Sequence, residues 1–258
     1  MRNFVIVAAA ATALLGSAYA SPSPPPPGEQ AQSEAEKAYA ALRDEYQKAY
    51  NEFLAAYRAA KTDEDRQKAA ALQPRPQEWS PKFKELAAKH GKDPAAALCF
   101  AWIVQNDRTA AAQSEALDAL LADHLASPVI SGVAQSLVYS QAGNAEAFLR
   151  AVIEKSKDHG AQGYACYSLA CMLNRGGGNA AKAKEAEALF ERVAAKCGDV
   201  KYGNRTLADK AKGDLFEMHN LVAGKAAPEI VGEDENGKAI KLSDFRGKVV
   251  LLDFWGFW

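Results

Sequence analysis

Apolar side chains recur at every third or fourth position over most of the chain, the spacing that places them on one face of an α-helix. The clearest case runs from Ser33 to about Lys61. Its large apolar positions are Tyr39, Leu42, Tyr46, Tyr50, Phe53 and Tyr57. Such a stripe is typical of a core-facing or coiled-coil seam, which we favour over a ligand-binding face. The pattern predicts an amphipathic helix, and Pro74 and Pro76 then break the chain.

Beyond these prolines, capping residues mark the starts of further helices. Ser80-Pro81 and Asp93-Pro94 each place a capping residue before a proline at the first helical position, and Gly91 ends the first of these two helices. The remaining predicted helices are 109–126, 128–141, 144–157, 161–174, 179–197 and 205–221. No strand-like alternation interrupts them, so the sequence predicts a helical domain over 33–222.

The helix starts are regularly spaced. Pro94, Pro128 and Ala161 begin alternate helices and lie 34 and 33 residues apart, which is the period of helix-turn-helix repeats. The third unit, with Ala186 and Phe190 in its second helix, resembles a tetratricopeptide or Sel1 repeat in its small and large positions. A plain helical bundle gives similar periods, so both architectures remain open, and a repeat array would offer a groove to a protein partner.

After Leu221 the sequence becomes β-type. Asn236-Gly237 lies between 229–231 and 239–241, which predicts a hairpin because a tight turn needs positive φ at its central positions. Ser243 is expected to cap a short helical turn that starts at Leu242. The apolar run 248–255, KVVLLDFW, predicts a central strand buried on both faces.

The N-terminus has the pattern of a secretory signal peptide over 1–20, with Arg2, an apolar stretch and a small-residue ending at Ala20. A proline-rich spacer follows at 21–32. The apolar stretch is shorter than the roughly 20 residues that span a bilayer. We therefore expect an exported protein of the periplasm or cell envelope without stable membrane insertion. The formal net charge of −1 gives no field that attracts nucleic acid, which we do not expect as a partner.

The chain has four cysteines, and an oxidising compartment would permit disulfides. They are Cys99, Cys166, Cys171 and Cys197. Cys166 and Cys171 diverge by about 140° around one predicted helix, and Cys171 and Cys197 should lie about 20 Å apart along a helical hairpin. We expect small buried core residues, with a bridge to Cys99 left open. The four histidines lack partners at metal-ligand spacing, so no metal site is predicted.

The C-terminal segment resembles the redoxin and thioredoxin-like thiol-disulfide oxidoreductases of the cell envelope, the TlpA and ResA type related to AhpC/TSA. The resemblance rests on 227–230, on 242–248 leading into 249–255, and on 253–258, DFWGFW, a lead-in that in this family is followed at once by Cys-Gly-Pro-Cys. It implies that 223–258 form the N-terminal fragment of a thioredoxin-like domain. The expected fold class is mainly α, followed by a truncated α/β domain.

The resemblance also implies a chemistry. The family's first cysteine attacks a substrate disulfide from a helix N-terminus, and the second resolves the mixed disulfide. Asp253 would relay a proton, and Trp255 and Trp258 would shape the active-site lead-in, although core packing is an equally good role for the tryptophans. A completed domain would need a disulfide-containing protein substrate, a thiol electron donor and no cofactor.

The printed sequence stops where the family's first catalytic cysteine is expected, so the chain as written should be an inactive oxidoreductase. A UGA codon, for selenocysteine or changed from a cysteine codon, would place the stop there, and a cut or gene fragment is the alternative. A peroxiredoxin-like thiol peroxidase shares the fold, but Trp255 and Trp258 favour a disulfide reductase. A non-enzymatic helical scaffold that binds a protein is the third interpretation.

Overall fold

The computed structural model describes residues 32–175, 179–254 and 256 of the chain. The signal peptide, nearly all of the spacer, Trp255 and Trp258 lie outside the described residues. Within them the protein is mainly helical. The helices are α1 (Glu34–Ala59), α2 (Asp63–Ala70), α3 (Pro76–His90), α4 (Pro94–Asn106), α5 (Ala110–Asp123), α6 (Val129–Ser136), α7 (Ala145–Lys155), α8 (His159–Arg175), α9 (Ala180–Lys196) and α10 (Leu207–Asn220). In this part of the chain, no helix is both long and apolar enough to cross a membrane.

In the described residues, four short strands accompany the helices. They are β1 (Lys201–Tyr202), β2 (Arg205–Thr206), β3 (Val231–Glu233) and β4 (Ala239–Lys241). Each sheet is a single antiparallel pair, β1 with β2 and β3 with β4. Two 3-10 turns, Leu137–Tyr139 and Leu242–Phe245, extend α6 and follow β4.

Several predicted helix ends are confirmed by their capping geometry. The Asp93 carboxylate accepts a hydrogen bond from the Ala95 N–H at 2.8 Å, and Pro94 occupies the first helical position. Gly91 ends α3 at φ 52°, a backbone conformation that residues with a Cβ rarely adopt. These caps are local, which explains why the sequence alone could place them.

The predicted start of α3 is wrong. The helix begins at Pro76, and Ser80 and Pro81 lie inside it. The Ser80 hydroxyl donates to the Asp107 carboxylate at 2.7 Å, across to the end of α4, instead of capping its own helix. Ser80 therefore makes a tertiary hydrogen bond in place of the N-capping bond that Ser80-Pro81 predicts. The short helix α2 and the hairpin of β1 and β2 were not predicted.

The core runs from α3 to α10. Alternate helices pack side by side, α4 against α6, α6 against α8, and α8 against α10, while α5 packs against α7. This is the order in which stacked helix pairs bury a continuous core. At one end of the core the Phe83 ring stacks on Trp102 with ring centroids 4.0 Å apart. The Tyr39 ring of α1 covers Phe83, with ring centroids 6.0 Å apart.

The hairpin predicted near Asn236-Gly237 is present, with Val231 paired to Lys241 and Glu233 to Ala239. Its connection is longer than a two-residue turn. Gly237 has φ 76°, but no described residue other than glycine has positive φ, so Asn236 does not take the conformation we expected. The Asp234 carboxylate stabilises the loop by accepting the N–H groups of Asn236 and Lys238, each at 2.9 Å.

The predicted buried strand over 248–255 is wrong for the described residues. No strand forms over 249–254, because β3 and β4 pair with each other and no partner strand supplies a ladder. The exposed fractions alternate: 103% for Val249, 41% for Val250, 93% for Leu251 and 47% for Leu252. One face of this segment therefore turns toward the hairpin, and the other lies fully in solvent.

This exposure predicts early proteolysis after Leu221. Limited digestion with trypsin should first cut among the exposed sites Lys225, Lys238, Arg246 and Lys248, because the backbone there is bound by few apolar contacts. Mass spectrometry of the first products should find the packed helices α3 to α10 still joined. Survival of the C-terminal segment for as long as the helices would contradict this description.

Candidate functional site

The first candidate site is built from the segment around Glu229, the β3–β4 hairpin and the 3-10 turn after β4. The Ile230 carbonyl accepts the Leu242 N–H at 2.9 Å, which extends the pairing of the hairpin by one bond. The Glu229 carboxylate accepts the Ser243 N–H at 3.0 Å. Hydrogen bonding to the Ser243 side chain, and then to its N–H, lowers the pKa of Glu229. These bonds hold together 227–230 and 242–248, two of the segments on which the sequence resemblance rests.

Ser243 does not cap the turn as predicted. Lys241 precedes the turn, and its N–H donates to the Asp244 carboxylate at 3.0 Å. Asp244 therefore supplies the local bond that was expected from Ser243, whose own N–H is used to fix Glu229. The segments 227–230 and 242–245 are therefore joined by a side-chain bond to Glu229 as well as by the backbone bond from Leu242 to Ile230.

An apolar cavity of about 260 Å³ lies beside this turn. Its walls include Ile230, Ile240, Phe245, Val250 and Leu252. Each of these side chains is at least one-third exposed, although their chemistry suits a domain interior. Lys241 is the one titratable residue in its lining, and the rest of the cavity offers apolar packing surface.

Of the predicted site residues, the structure describes only Asp253. The Asp253 carboxylate is exposed, and Trp255 and Trp258 fall among the positions that are not described. The role of Asp253 as a proton relay stays a prediction. Its neighbours Leu252 and Phe254 are also exposed, so the apolar environment suggested by the sequence does not form around it.

All four cysteines are unpaired, and Cys99, Cys166 and Cys197 are buried. The expectation of core cysteines is confirmed for these three, and no bridge to Cys99 forms. Burial raises the pKa of Cys99 to about 12 and those of Cys166 and Cys171 to about 11. Because the thiolate is the reactive form, none of these side chains is suited to attack a disulfide at neutral pH.

Two histidines pair with carboxylates at the surface. His159 Nε2 lies 2.9 Å from Asp199 Oδ1, and His219 Nε2 lies 2.6 Å from Glu187 Oε1. These are isolated pairs. In the described part of the chain, no three histidine, cysteine or acidic side chains come close enough to hold a metal ion.

A second site, which sequence reasoning missed, lies in the helical part. Tyr139, Tyr167 and Tyr202 come from a 3-10 turn, from α8 and from β1, and they meet Arg175 and Lys210 around one pocket. Tyrosine and lysine are ordinary on helix surfaces, and these positions are far apart in sequence. Only the tertiary packing brings them together.

The chain combines a mainly helical structure with a short partial similarity to thiol-disulfide oxidoreductases. It is 60% identical to the thiol-disulfide oxidoreductase ResA of Bacillus subtilis strain 168 over 39 residues, 15% of this chain and 22% of that protein. It is 57% identical to ResA of Bacillus cereus ATCC 10987 over 47 residues, covering 18% and 27% of the two chains. ResA of Geobacillus thermodenitrificans is 43% identical over 42 residues, or 16% and 24%.

The similarity is limited in extent. This chain spans about a quarter of the length of the curated relatives it matches. No family model matches the chain, and no solved structure matches it significantly. These relatives therefore inform a function for a small part of the sequence.

Proposed function

We propose that residues 223–258 are the N-terminal part of a thioredoxin-like domain in an exported thiol-disulfide oxidoreductase, and that the helical domain over 33–222 binds a protein substrate or partner. The observation that carries this proposal is the identity of 43–60% to ResA proteins over 39–47 residues. A short match of this strength supports a shared local structure. The bond between Glu229 and Ser243 supports it further, because it joins the two parts of the motif.

The exposed apolar side chains after Leu221 also favour an incomplete domain. Ile230, Ile240, Phe245, Val250 and Leu252 surround a cavity that further strands and a helix could fill. Exposed clusters of this kind indicate a surface that is normally covered. A completed sheet would give 249–254 the neighbouring strands that a ladder requires.

The proposed reaction needs a cysteine pair that the printed sequence does not contain. In the completed domain a thiolate would attack one sulfur of a substrate disulfide, forming a mixed disulfide and releasing the other sulfur as a thiolate. The second cysteine would then attack the mixed disulfide, which releases the reduced substrate and leaves the enzyme oxidised. A thiol donor would return both electrons. Asp253 would move the proton of the second cysteine, and Trp255 and Trp258 would line the approach.

The gene and its full product give the first tests of this function. Sequencing the gene past the Trp258 codon should find a cysteine or UGA codon followed by Gly-Pro-Cys. Unrelated sequence there would instead favour the helical scaffold without redox activity. Peroxide turnover that exceeds disulfide reduction by the full gene product would favour the thiol peroxidase.

A chimera gives the direct activity test. We expect this chain, joined after Trp258 to the part of Bacillus subtilis ResA that follows its matched segment, to reduce insulin disulfides with dithiothreitol as donor. The chain alone should not exceed the dithiothreitol background, since burial raises the pKa values of its own thiols. Serine in place of the cysteine pair of the fused segment is the matched control. A chimera with folded helices but no activity would contradict the proposal.

A further inference from the structure

A pocket of about 300 Å³ lies between the 3-10 turn Leu137–Tyr139, α8, β1 and α10. The side chains that give it its character are Tyr139, Tyr167, Arg175, Tyr202, Lys210 and Asp214. Its volume is at the lower end of the roughly 300–1,000 Å³ of ligand pockets, which suits one or two side chains better than a whole cofactor. The pocket shares no residue with the apolar cavity after Leu221, so a role for it is independent of the proposed redox function.

Two cations, Arg175 and Lys210, line this pocket. The Arg175 guanidinium carbon lies 4.3 Å from the centre of the Tyr139 ring, and its Nη2 donates to the Val138 carbonyl at 2.6 Å. Lys210 Nζ lies 5.8 Å and 5.9 Å from the Tyr202 and Tyr167 ring centres. Neither cation belongs to an ion pair with another described residue. The fork of Arg175 keeps further N–H groups that could reach a ligand.

The one carboxylate in the pocket is already engaged. Asp214 Oδ2 accepts the Tyr167 hydroxyl at 2.8 Å, and the Tyr167 ring is buried. The Tyr167 ring also meets Tyr202 edge-on at 5.6 Å and Phe190 at 5.8 Å. The floor is therefore a fixed aromatic surface, and two positive charges against one negative charge leave the pocket attractive to an anion.

The rim adds a surface for a neighbouring apolar group. Tyr139 is 71% exposed, although its ring stacks under Arg175, so one edge of the pocket is an aromatic side chain held in place and open to solvent. Tyrosine presents a large rigid contact area at a low cost in conformational entropy. A ligand that combines a carboxylate with an adjacent aromatic or apolar group matches both parts of the pocket.

We propose that this pocket binds a carboxylate on an extended peptide segment of a protein partner, with an adjacent apolar or aromatic side chain of that peptide packed on Tyr139. Arg175 and Lys210 hold the carboxylate, and Arg175 contributes its planar donor pair. The pocket is thus the place where the helical part of the chain selects acidic segments.

The full chain can be tested with a pair of synthetic peptides. We expect acetyl-Gly-Phe-Glu-Gly-amide to bind at least about tenfold more tightly than its Gln counterpart, in line with hydrogen bonds to charged groups. Titrations followed by ¹H–¹⁵N NMR should shift amides near Arg175 and Lys210, and added salt should weaken the binding of the Glu peptide. Equal binding of both peptides, no binding, or shifts confined to other helices would overturn the proposal.

Two substitutions on α10 distinguish the loss of a charge in the pocket from a general effect on folding. Lys210→Gln should reduce the preference for the Glu peptide to about threefold or less, whereas Lys212→Gln should keep it, because Lys212 is exposed and does not line the pocket. Tyr139→Ala should weaken both peptides by a similar factor, since it removes packing surface and no charge. A Lys210→Gln protein with native spectra and an unchanged preference would also overturn the proposal.

Discussion

Replacing Phe83 by alanine should lower the free energy of unfolding of the helical part by about 3–5 kcal/mol, the usual cost of removing a buried phenylalanine. Phe83 is fully buried, and its ring stacks on Trp102 at an interplanar angle of 20°. The substitution removes this aromatic pair and leaves a cavity between α1, α3 and α4. Neighbouring helices can close such a cavity only in part, because protein interiors are tightly packed.

The matched control is Phe254→Ala. Phe254 is 81% exposed, so its loss should change the free energy of unfolding by less than about 0.5 kcal/mol. Urea unfolding followed by far-ultraviolet circular dichroism reports on the helices in both variants. Equal effects of the two substitutions would mean that the core described around Trp102 is wrong, or that the segment after 248 is packed in solution.

The helical part was predictable because its signals are local. Asp93, Pro94 and Gly91 set helix ends through bonds within a few residues, and the structure has them at the expected places. Ser80 failed as a signal because its hydroxyl bonds to Asp107, a partner 27 positions away. No local pattern could show that competition.

The C-terminal segment shows the opposite limit. Its apolar run has the composition of a buried strand, but a strand exists only where a neighbour completes its ladder. Val250 and Leu252 face the hairpin while Val249 and Leu251 face solvent, so the alternation of a strand is present without its partner. The sequence therefore predicted a segment with strand-like composition, but whether it forms a strand depends on a neighbouring strand that the sequence pattern does not show.

The pocket around Lys210 was beyond sequence reasoning for a different reason. Its side chains come from positions between 138 and 214, and Lys210 and Asp214, four residues apart on α10, are the one charged pair in its lining with a regular helical spacing. The repeat period concerned the helices that start near Pro94, Pro128 and Ala161, and these pack side by side as α4, α6 and α8. The identity of the residues that meet between them depends on helix rotation, which the period does not fix.

The native Cys166 and Cys171 thiols should react with a disulfide reagent such as 5,5′-dithiobis(2-nitrobenzoate) about 100-fold more slowly at pH 8 than the same thiols in the urea-unfolded chain. Burial raises the pKa of Cys166 and Cys171 from 9.0 to about 11, so the thiolate fraction at pH 8 falls by about two orders of magnitude. Cys99, with a pKa of about 12, should react more slowly still. Ala226→Cys is the control, because an added thiol at this exposed position should label at once while the native four do not.

The same shifts give the direction of the pH dependence. Below about pH 9 these thiols are neutral in both the folded and the unfolded chain. Between about pH 9 and 11 the unfolded chain loses thiol protons that the folded chain keeps, so ionisation increasingly favours unfolding and stability falls as pH rises. As the pH is raised from 7 to 11, the labelling rates of the thiols should increase and the urea midpoint of unfolding should decrease. A native cysteine that labels at pH 8 as fast as the thiol introduced by Ala226→Cys would show instead that one native thiol is exposed or activated, and would reopen a redox role for the helical part.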